Sequence, residues 1–327
     1  MASLITRCAA GASTSSTSKP SAPVRAAALA RIGKNTQTSR VYTQTHTLRR
    51  TDVVARVSTA PSLTRETCED EAEDDGYYAP DEGSEESLMA GELLAGDVLH
   101  STLKHKAIVG TAAVLAACLL VEGVSETDAV SAILAAVVGY YLSDFASGVF
   151  HWSTDNYGNQ KTPLLGGVIA AFQGHHLFPW TITKRAFCNN ISKVSTPAIP
   201  LMAILLALPL DGSVDVFLSV FTTLVVLSQQ FHSWSHSRPS ELPAVVVKLQ
   251  EMGILISRQS HGAHHRKPFA SNYCIVSGVW NPILDDNKFF HSIAKQIHSI
   301  NGVEPRCWRE PDYNWLTGIQ SGRPSKK

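Results

Sequence analysis

The first part of the chain lacks acidic residues. None of residues 1–51 is Asp or Glu, whereas eight are Lys or Arg and many of the others are Ser, Thr or Ala. The same stretch lacks the continuous apolar run of a secretory signal. A basic, hydroxyl-rich segment without acid is typical of an organelle transit peptide. We therefore predict a chloroplast transit peptide and disordered region over residues 1–65, in preference to a mitochondrial signal or a disordered tail alone.

Cysteine motifs and a net charge are also missing. The six cysteines lie far apart, with no C-x-x-C pair, and the 28 basic residues balance the 28 acidic ones. Nothing therefore favours structural disulfides or a zinc site built from thiolates. No nucleic-acid partner is predicted for a chain with this composition.

Basic residues are absent from the segment that follows. Residues 66–92 contain no Lys or Arg and many Asp and Glu, with few apolar side chains. Like charges at this density repel one another, and little apolar surface is available to offset the entropy lost on ordering. We predict a disordered acidic linker over residues 66–95, a membrane domain over residues 96–315 and a tail over residues 316–327.

Four apolar stretches lie within the predicted membrane domain, at residues 107–121, 129–149, 197–210 and 216–231. The first covers only ~22 Å as a helix, so it needs its flanks to complete a span of ~30 Å. The polar connection 211–215 is short, which makes the last two stretches an antiparallel helical hairpin. A soluble bundle of unusually apolar helices is the alternative. The clustering of four stretches favours an all-α integral membrane protein with about four transmembrane helices.

The charges that flank these stretches differ between the two sides of the membrane. With four spans, the loops at residues 122–128 and 211–215 share one side, and they contain acidic residues but no Lys or Arg. The N-terminal tail, residues 151–195 and the chain after residue 231 share the other side, which carries many basic residues. The positive-inside rule places that side in the cytoplasm or its organellar counterpart, the stroma.

Histidines cluster on this basic side. Eight of the thirteen fall in four short groups: His151; His175 and His176; His232 and His236; and His261, His264 and His265. Imidazole is the side chain most often used to hold a transition metal at neutral pH. His232 and His236 are four residues apart and share one helical face, as do His151 and Asp155. Adjacent histidines point about 100° apart on a helix, so each adjacent pair can serve two metals, or one metal and a neighbouring contact.

One carboxylate lies inside a predicted span. Asp144 is seven residues before His151 and therefore on the same helical face. A charged side chain at that depth costs roughly 2.5–3.5 kcal/mol on insertion scales, so we expect Asp144 to have a partner. It either binds metal or orients a ligand imidazole through the second ring nitrogen.

The number of histidines indicates the kind of metal centre. Eight imidazoles are too many for one structural zinc, which takes four ligands, and none of the groups contains cysteine. They suit two iron ions with open positions for O2, in a di-iron site on one membrane face. Such a centre can reach acyl chains, where removing hydrogen from a methylene needs an oxidant made from O2 and two electrons. The protein's part is to place one methylene pair against the metal and to exclude water.

Five strings carry a resemblance to a known family: residues 144–152, 173–183, 231–236, 261–265 and 272–281. Their residues and spacing are similar to the Kua family of membrane desaturases, which includes the plasmanylethanolamine desaturases, and look closest to its plant chloroplast branch. The resemblance covers residues 99–315. It implies that all eight grouped histidines bind two non-haem iron ions, with Asp155 as a further candidate ligand.

The same resemblance implies a substrate and an electron donor. The plant branch uses O2 to introduce a trans double bond at carbon 3 of palmitate, at the sn-2 position of phosphatidylglycerol, with electrons from ferredoxin. The site would then face the stroma from the thylakoid or envelope membrane. Lys184 and Arg185 follow the second histidine group and can pair with the lipid phosphate, or they simply obey the positive-inside rule.

Other functions fit parts of this pattern. A membrane hydroxylase would share the whole histidine arrangement, and a desaturase of another lipid would differ only in its substrate contacts. A metal transporter or iron-binding module can also gather histidines on one membrane face. A transporter is expected to carry polar residues through several spans, yet Asp144 is the only charged residue within the four apolar stretches.

Overall fold

The structure is a computed structural model that describes Leu94 and residues 97–309. The predicted transit peptide, the acidic linker apart from Leu94, and the C-terminal tail lie outside the described residues. Every regular element within the described part of the chain is helical. The α-helices are α1 (Leu103–Glu126), α2 (Ala129–Asn156), α3 (Gly166–His175), α4 (Phe187–Leu205), α5 (Gly212–Ser235), α6 (Ala244–Glu251), α7 (Arg258–His264), α8 (Asn281–Asp286) and α9 (Phe289–Asn301). Short 3-10 turns cover Pro179–Lys184, Pro239–Glu241 and Arg306–Trp308.

Side-chain caps define where the first two helices begin. Thr102 and His105 form a reciprocal capping box at the start of α1, in which each side chain accepts the backbone N–H of the other residue. The Asp128 carboxylate accepts the amides of Val130 and Ser131 at the start of α2. Only two residues separate α1 from α2, so the two helices run antiparallel. His105, which lies outside the four histidine groups, therefore serves as a helix cap.

Helix α5 is the centre of a four-helix bundle and packs against α1, α2 and α4. The outward faces of α1 and α2 leave large apolar side chains in the open, including Val121, Ile133 and Leu134, each at least 60% exposed. Exposed apolar surface of this extent is typical of helices that contact lipid. Three helices, α1, α2 and α5, are long and apolar enough to cross a membrane. The predicted integral membrane protein built from helices is confirmed.

The third predicted span, residues 197–210, overlaps a helix of the structure only in part. The helix in this region, α4, starts at Phe187 and ends at Leu205. Its first half is polar, and hydroxyls such as that of Ser195 return hydrogen bonds to the backbone one turn earlier. These hydrogen bonds satisfy the hydroxyls of buried residues such as Ser195, so the polar half of the helix can pack inside the bundle. Helix α4 completes the bundle as a more polar member than the three candidate spans, and it still forms the expected hairpin with α5.

The up-and-down arrangement brings four helix termini together at one end of the bundle. These are the starts of α1 and α4 and the ends of α2 and α5. The Ala186 amide donates to the carbonyl of Leu99 (2.8 Å), which joins the starts of α1 and α4 directly. His151 and His232 lie at the ends of α2 and α5, so we call this the histidine end. At the opposite end, α1 and α5 approach closely at Gly123 and Gly212.

The chain after α5 folds back along α2. The Tyr140 hydroxyl donates to the carbonyl of Ile254 (2.9 Å), and the Trp280 ring donates to the carbonyl of Tyr141 (2.8 Å). Tyr140 lies 11 residues before His151, which is ~16 Å along the helix. Irregular backbone therefore lies beside the middle of a candidate span. Beyond it, Phe290 of α9 stacks on Trp152 with ring centroids 5.3 Å apart.

We predict that Gly123→Ala destabilises the bundle. An added Cβ would lie 2.7 Å from the backbone oxygen of Gly212 and the backbone nitrogen of Val216, neither of which can move aside easily. Overpacking of this kind costs about 1–3 kcal/mol, so the melting temperature of the detergent-purified protein should fall. Gly110→Ala on the same helix is the matched control, because nothing lies within 4 Å of its added Cβ. Equal melting temperatures for the two variants would contradict the close approach of α1 and α5.

Candidate metal centre

Four helices and their C-terminal caps bring the grouped histidines to one place. Helix α2 carries His151 and Asp155, α3 and its cap carry His175 and His176, α5 and its cap carry His232 and His236, and α7 and its cap carry His261, His264 and His265. All nine side chains face a common interior at the histidine end. Side chains gathered from four separate elements can surround an ion on several sides.

The nine side chains form two sets of potential ligands, and within each set the ligand atoms lie within 4.8 Å of one another. The Asp155 group comprises His151, Asp155, His176 and His264. The five-histidine group comprises His175, His232, His236, His261 and His265. Both adjacent histidine pairs, 175–176 and 264–265, are divided between the two groups, as the angle between neighbouring helical residues allows.

Three imidazoles converge on one carboxylate oxygen in the Asp155 group. The Oδ2 atom of Asp155 lies 3.2 Å from Nε2 of His151, 3.2 Å from Nε2 of His176 and 3.3 Å from Nε2 of His264. Ligands bound ~2.1 Å from a single ion lie roughly 3.0–3.4 Å from their neighbours. The spacing of this group therefore matches that of ligands around one metal.

The five-histidine group is packed just as closely. Nε2 of His175 lies 3.1 Å from Nε2 of His236, and Nε2 of His265 lies 3.2 Å from Nε2 of His261. The His232 ring adds to this contact, with its centroid 4.4 Å from that of His261. A neutral imidazole has one donor and one acceptor nitrogen, yet both nitrogens of His232 and Nδ1 of His261 lack a hydrogen bond within the described residues.

Several buried ring nitrogens have no hydrogen-bond partner within the described part of the chain. Both nitrogens of His232 are in this state, as are Nδ1 of His176 and Nδ1 of His261. A buried polar atom without a partner costs ~1–3 kcal/mol, and native interiors contain few of them. A transition metal would accept the lone pairs of these imidazoles. The residues present therefore fit a metal.

Burial favours the neutral, metal-binding form of these histidines. Removal from water lowers the pKa of His175, His176, His236, His261 and His265 below the usual value for imidazole. For His176 the nearby Asp155 carboxylate opposes this effect without reversing it. Neutral imidazole is the ligand form, since a protonated ring has no lone pair to donate. The site is therefore prepared for metal binding at neutral pH.

The backbone orients two rings of the Asp155 group. Nδ1 of His151 donates to the carbonyl of Tyr273 (2.9 Å), and Nδ1 of His264 donates to the carbonyl of Ser271 (2.7 Å). Each hydrogen bond places the proton on Nδ1 and leaves the Nε2 lone pair directed towards Asp155. A carbonyl on the second ring nitrogen is a common feature of metal-binding histidines.

A family model for the lipid desaturase domain matches residues 140–308, just over half of the 327-residue chain, and this range includes both groups. The chain belongs to the lipid desaturase domain family. It is 46% identical over 188 residues to Fatty acid desaturase 4, chloroplastic, of Arabidopsis thaliana, covering 56% of this chain and 57% of that protein. It is 33% identical over 177 residues to the Plasmanylethanolamine desaturase of Myxococcus xanthus, covering 53% and 62%.

A more distant animal relative also aligns. The Plasmanylethanolamine desaturase 1 of Mus musculus is 28% identical over 198 residues, covering 58% of this chain and 72% of that protein. The predicted resemblance to the Kua family is thereby confirmed. The chain spans less than two thirds of the length of the Arabidopsis and Myxococcus relatives named above. No solved structure matches the chain.

Asp144 does not act as predicted within this lipid desaturase domain. Its Oδ1 atom accepts the amides of Val276, Ser277 and Gly278 at 2.8–3.0 Å, and its Oδ2 atom accepts the Trp280 amide at 3.3 Å. The carboxylate therefore neither belongs to a ligand group nor bonds to an imidazole. The prediction was wrong because the helical face of Asp144 is covered by the returning chain, whose amides use both oxygens.

The two predicted head-group residues differ in their contacts. Arg185 forms an ion pair with Asp97, with Nη2 and Oδ2 2.7 Å apart. Lys184 is exposed, and its Nζ atom lies 5.9 Å from the centroid of the Trp180 ring, within the range of a cation–π contact. The Arg185 charge is thus engaged by a carboxylate, whereas Lys184 remains at the surface of the lipid desaturase domain.

Tyr273 is a site residue that sequence reasoning missed. Its ring lies 5.0 Å from the His264 ring, its hydroxyl donates to the carbonyl of Phe269 (2.7 Å), and it is 1% exposed. Burial raises its pKa well above the usual value, so the hydroxyl stays protonated. Its backbone carbonyl is the partner of His151. Only its position in the string 272–281 could have drawn attention to it.

We predict that Asp155→Ala and His261→Ala each lower the transition-metal content of the detergent-purified protein. Each change removes one ligand from a different group and leaves its neighbours unsatisfied. Metal per protein should be measured by elemental mass spectrometry at matched purity. His298→Ala is the control, because His298 is exposed on α9 and belongs to neither group. Unchanged metal content in both site variants would show that these side chains are not ligands.

Proposed function

We propose that this protein is a membrane lipid acyl desaturase whose histidine end holds two non-haem iron ions. The observation that carries the proposal is the pair of adjoining ligand groups, buried at the end of a bundle of membrane helices. Membership of the lipid desaturase domain family supports the same reaction class. The proposed ligands are the eight grouped histidines and Asp155.

The reaction must balance in electrons and protons. Removing one hydrogen from each of two adjacent methylenes releases two electrons and two protons and leaves a carbon–carbon double bond. Reducing O2 to two waters takes four electrons and four protons, so a donor must supply two electrons and solution two protons. Bound iron would supply the activation of O2. Ferredoxin is the proposed donor.

The chain's own residues shield the reacting region from water. The Phe172 ring lies 5.3 Å from the His151 ring, the Phe269 ring lies 4.6 Å from the His176 ring, and Tyr273 closes a third side. Apolar walls of this kind suit an acyl chain. They also protect a strong oxidant from side reactions with solvent.

The depth of the site bears on which carbon reacts. His151 lies 22 residues after Ala129, which is ~33 Å along α2 and close to the ~30 Å thickness of the hydrocarbon layer. The ligands are thus near the head-group boundary and not at the bilayer centre. A carbon close to the ester, such as carbon 3, lies at that level. This depth supports reaction at carbon 3. The trans geometry, the palmitate chain and the sn-2 position of phosphatidylglycerol are proposed from the resemblance to the plant branch of the family.

The proposed location is a chloroplast membrane, thylakoid or envelope, with the histidine end facing the stroma. The acid-free, basic N-terminal segment supports import into the chloroplast. The Arabidopsis relatives are named chloroplastic. The basic residues on the histidine side agree with a stromal orientation.

The proposed reaction predicts a specific lipid product. Expression in a plant that lacks the activity should yield phosphatidylglycerol whose palmitate has lost two hydrogens. His264→Ala and His265→Ala should each abolish this product while the protein still accumulates, and His298→Ala should retain it. Lipid mass spectrometry is the measurement. A product that gains one oxygen would favour a hydroxylase, and iron uptake with unchanged lipids would favour a transporter.

A second prediction concerns the lipid head group. Lys184→Gln should lower the rate on phosphatidylglycerol about fivefold, since one Lys near an anionic surface contributes ~1 kcal/mol. The rate on zwitterionic phosphatidylcholine should change less. Lys295→Gln, an exposed lysine on α9, is the matched control. Initial rates in vesicles of each lipid test the idea, and an equal effect of Lys184→Gln on both lipids would contradict it.

A further inference from the structure

The Asp144 carboxylate accepts hydrogen bonds from the backbone of one irregular segment, residues 276–280. It is completely buried in α2, a candidate membrane span, and accepts four amides from residues 276–280. Backbone without regular secondary structure at membrane depth needs partners inside the protein, because lipid offers none. Hydrogen bonds to an ionised acceptor are about twice as strong as those between neutral groups. The carboxylate thus anchors this segment to α2.

Neighbouring residues extend the anchor. The Ser147 hydroxyl oxygen accepts the Ile275 amide (3.0 Å), and the Asn281 side-chain oxygen accepts the Cys274 amide (2.8 Å). Gly148 lets Cys274 approach α2 closely, since a Cβ at residue 148 would collide with the cysteine sulfur. Every amide from residue 274 to residue 278 is therefore held by a side chain, mostly from one face of α2.

Two carbonyls just before these amides, at residues 271 and 273, orient proposed ligands. Tyr273 supplies the carbonyl for Nδ1 of His151, and Ser271 supplies the carbonyl for Nδ1 of His264. Both rings belong to the Asp155 group. In the five-histidine group, His232 has no hydrogen bond at either ring nitrogen within the described residues, and His261 has none at Nδ1. Orientation by this segment is thus a property of the Asp155 group.

We propose that Asp144 is a positioning residue that holds residues 271–280 in place and thereby sets the metal affinity of the Asp155 group alone. The inference rests on the proposed metal centre, and it makes the two groups unequal. Losing the hydrogen bonds that orient a ligand typically lowers metal affinity about 10- to 100-fold. Loss of the anchor should therefore empty the Asp155 group first and leave the five-histidine group occupied.

The test compares metal content and local dynamics in the full-length protein. In Asp144→Asn, metal per protein should fall from two to about one, and Mössbauer spectra should change from a coupled pair to an isolated ion. Hydrogen exchange of residues 271–280, measured after metal removal, should be faster than in the wild type. Ser147→Ala, which removes one hydrogen bond to the same segment, should have a smaller effect in the same direction. Asp215→Asn is the control, because Asp215 is a buried acid at the opposite end of the bundle.

The outcomes separate this inference from the proposed function. Two metals in Asp144→Asn, or loss of both metals together, would overturn the inference while leaving a di-iron wild type intact. Equal metal loss in Asp215→Asn would overturn it too, since the effect would then be general destabilisation. A wild type without bound metal would contradict the proposed function itself. Faster exchange with unchanged metal content would show that the anchor shapes the segment but not the site.

Discussion

The structure depends on the burial of eight imidazoles and one carboxylate in a small volume at the end of a membrane bundle. A buried polar atom without a partner costs ~1–3 kcal/mol, whereas a typical domain is stable by only about 5–15 kcal/mol. The unsatisfied nitrogens of His176, His232 and His261 alone would use a large part of that margin. A bound metal would take up one nitrogen of each ligand ring and offset part of this cost, so the ion would act as part of the folded core.

The bundle keeps the ligand-bearing elements at fixed positions. Close backbone contact between Gly123 and Gly212 holds α1 against α5 at one end, and the hydrogen bond from Ala186 to Leu99 joins α1 to α4 at the other. Helices α2 and α5 therefore end at defined positions. The remaining proposed ligands come from α3 and α7 and their C-terminal caps, which lie in the chain segments that follow α2 and α5. A rigid bundle that carries ligands at its ends reduces the entropy lost on assembling the site.

Much of this arrangement follows from the sequence, because it depends on local periodicity and on the alternation of spans. The four histidine groups, their position at one end and the spacing of His151 from Asp155 are all visible in the pattern of residues. The angle between neighbouring helical positions also indicates that His264 and His265 point in different directions. It does not indicate which group each joins, since that depends on how α7 docks against α2 and α5.

The errors have a common physical cause. Asp144 was expected to bind metal or to orient an imidazole, but its partners are backbone amides, and amides have no signature in a sequence. The carbonyl of Tyr273 that orients His151 is hidden in the same way. The boundaries of α4 were misplaced because the helix backbone accepts the hydrogen bonds of its Ser and Thr hydroxyls, which lets a polar stretch pack within the bundle. Tertiary contacts of the main chain decided the first two cases, and hydrogen bonds within the helix decided the third.

The segment of residues 271–280 and the helix that follows it expose apolar side chains beside α2, a candidate membrane span. Val279 and Ile283 are 41% and 52% exposed, next to Trp280, whose ring is bonded to the middle of α2 at Tyr141. Asp144 accepts hydrogen bonds from the backbone amides of Val276 and Trp280 in this segment. A lipid chain packed against Val279 would therefore contact the same short stretch of chain whose Tyr273 carbonyl orients His151. This contiguity gives a physical reason for a charged residue inside a membrane helix, where its burial would otherwise only cost stability.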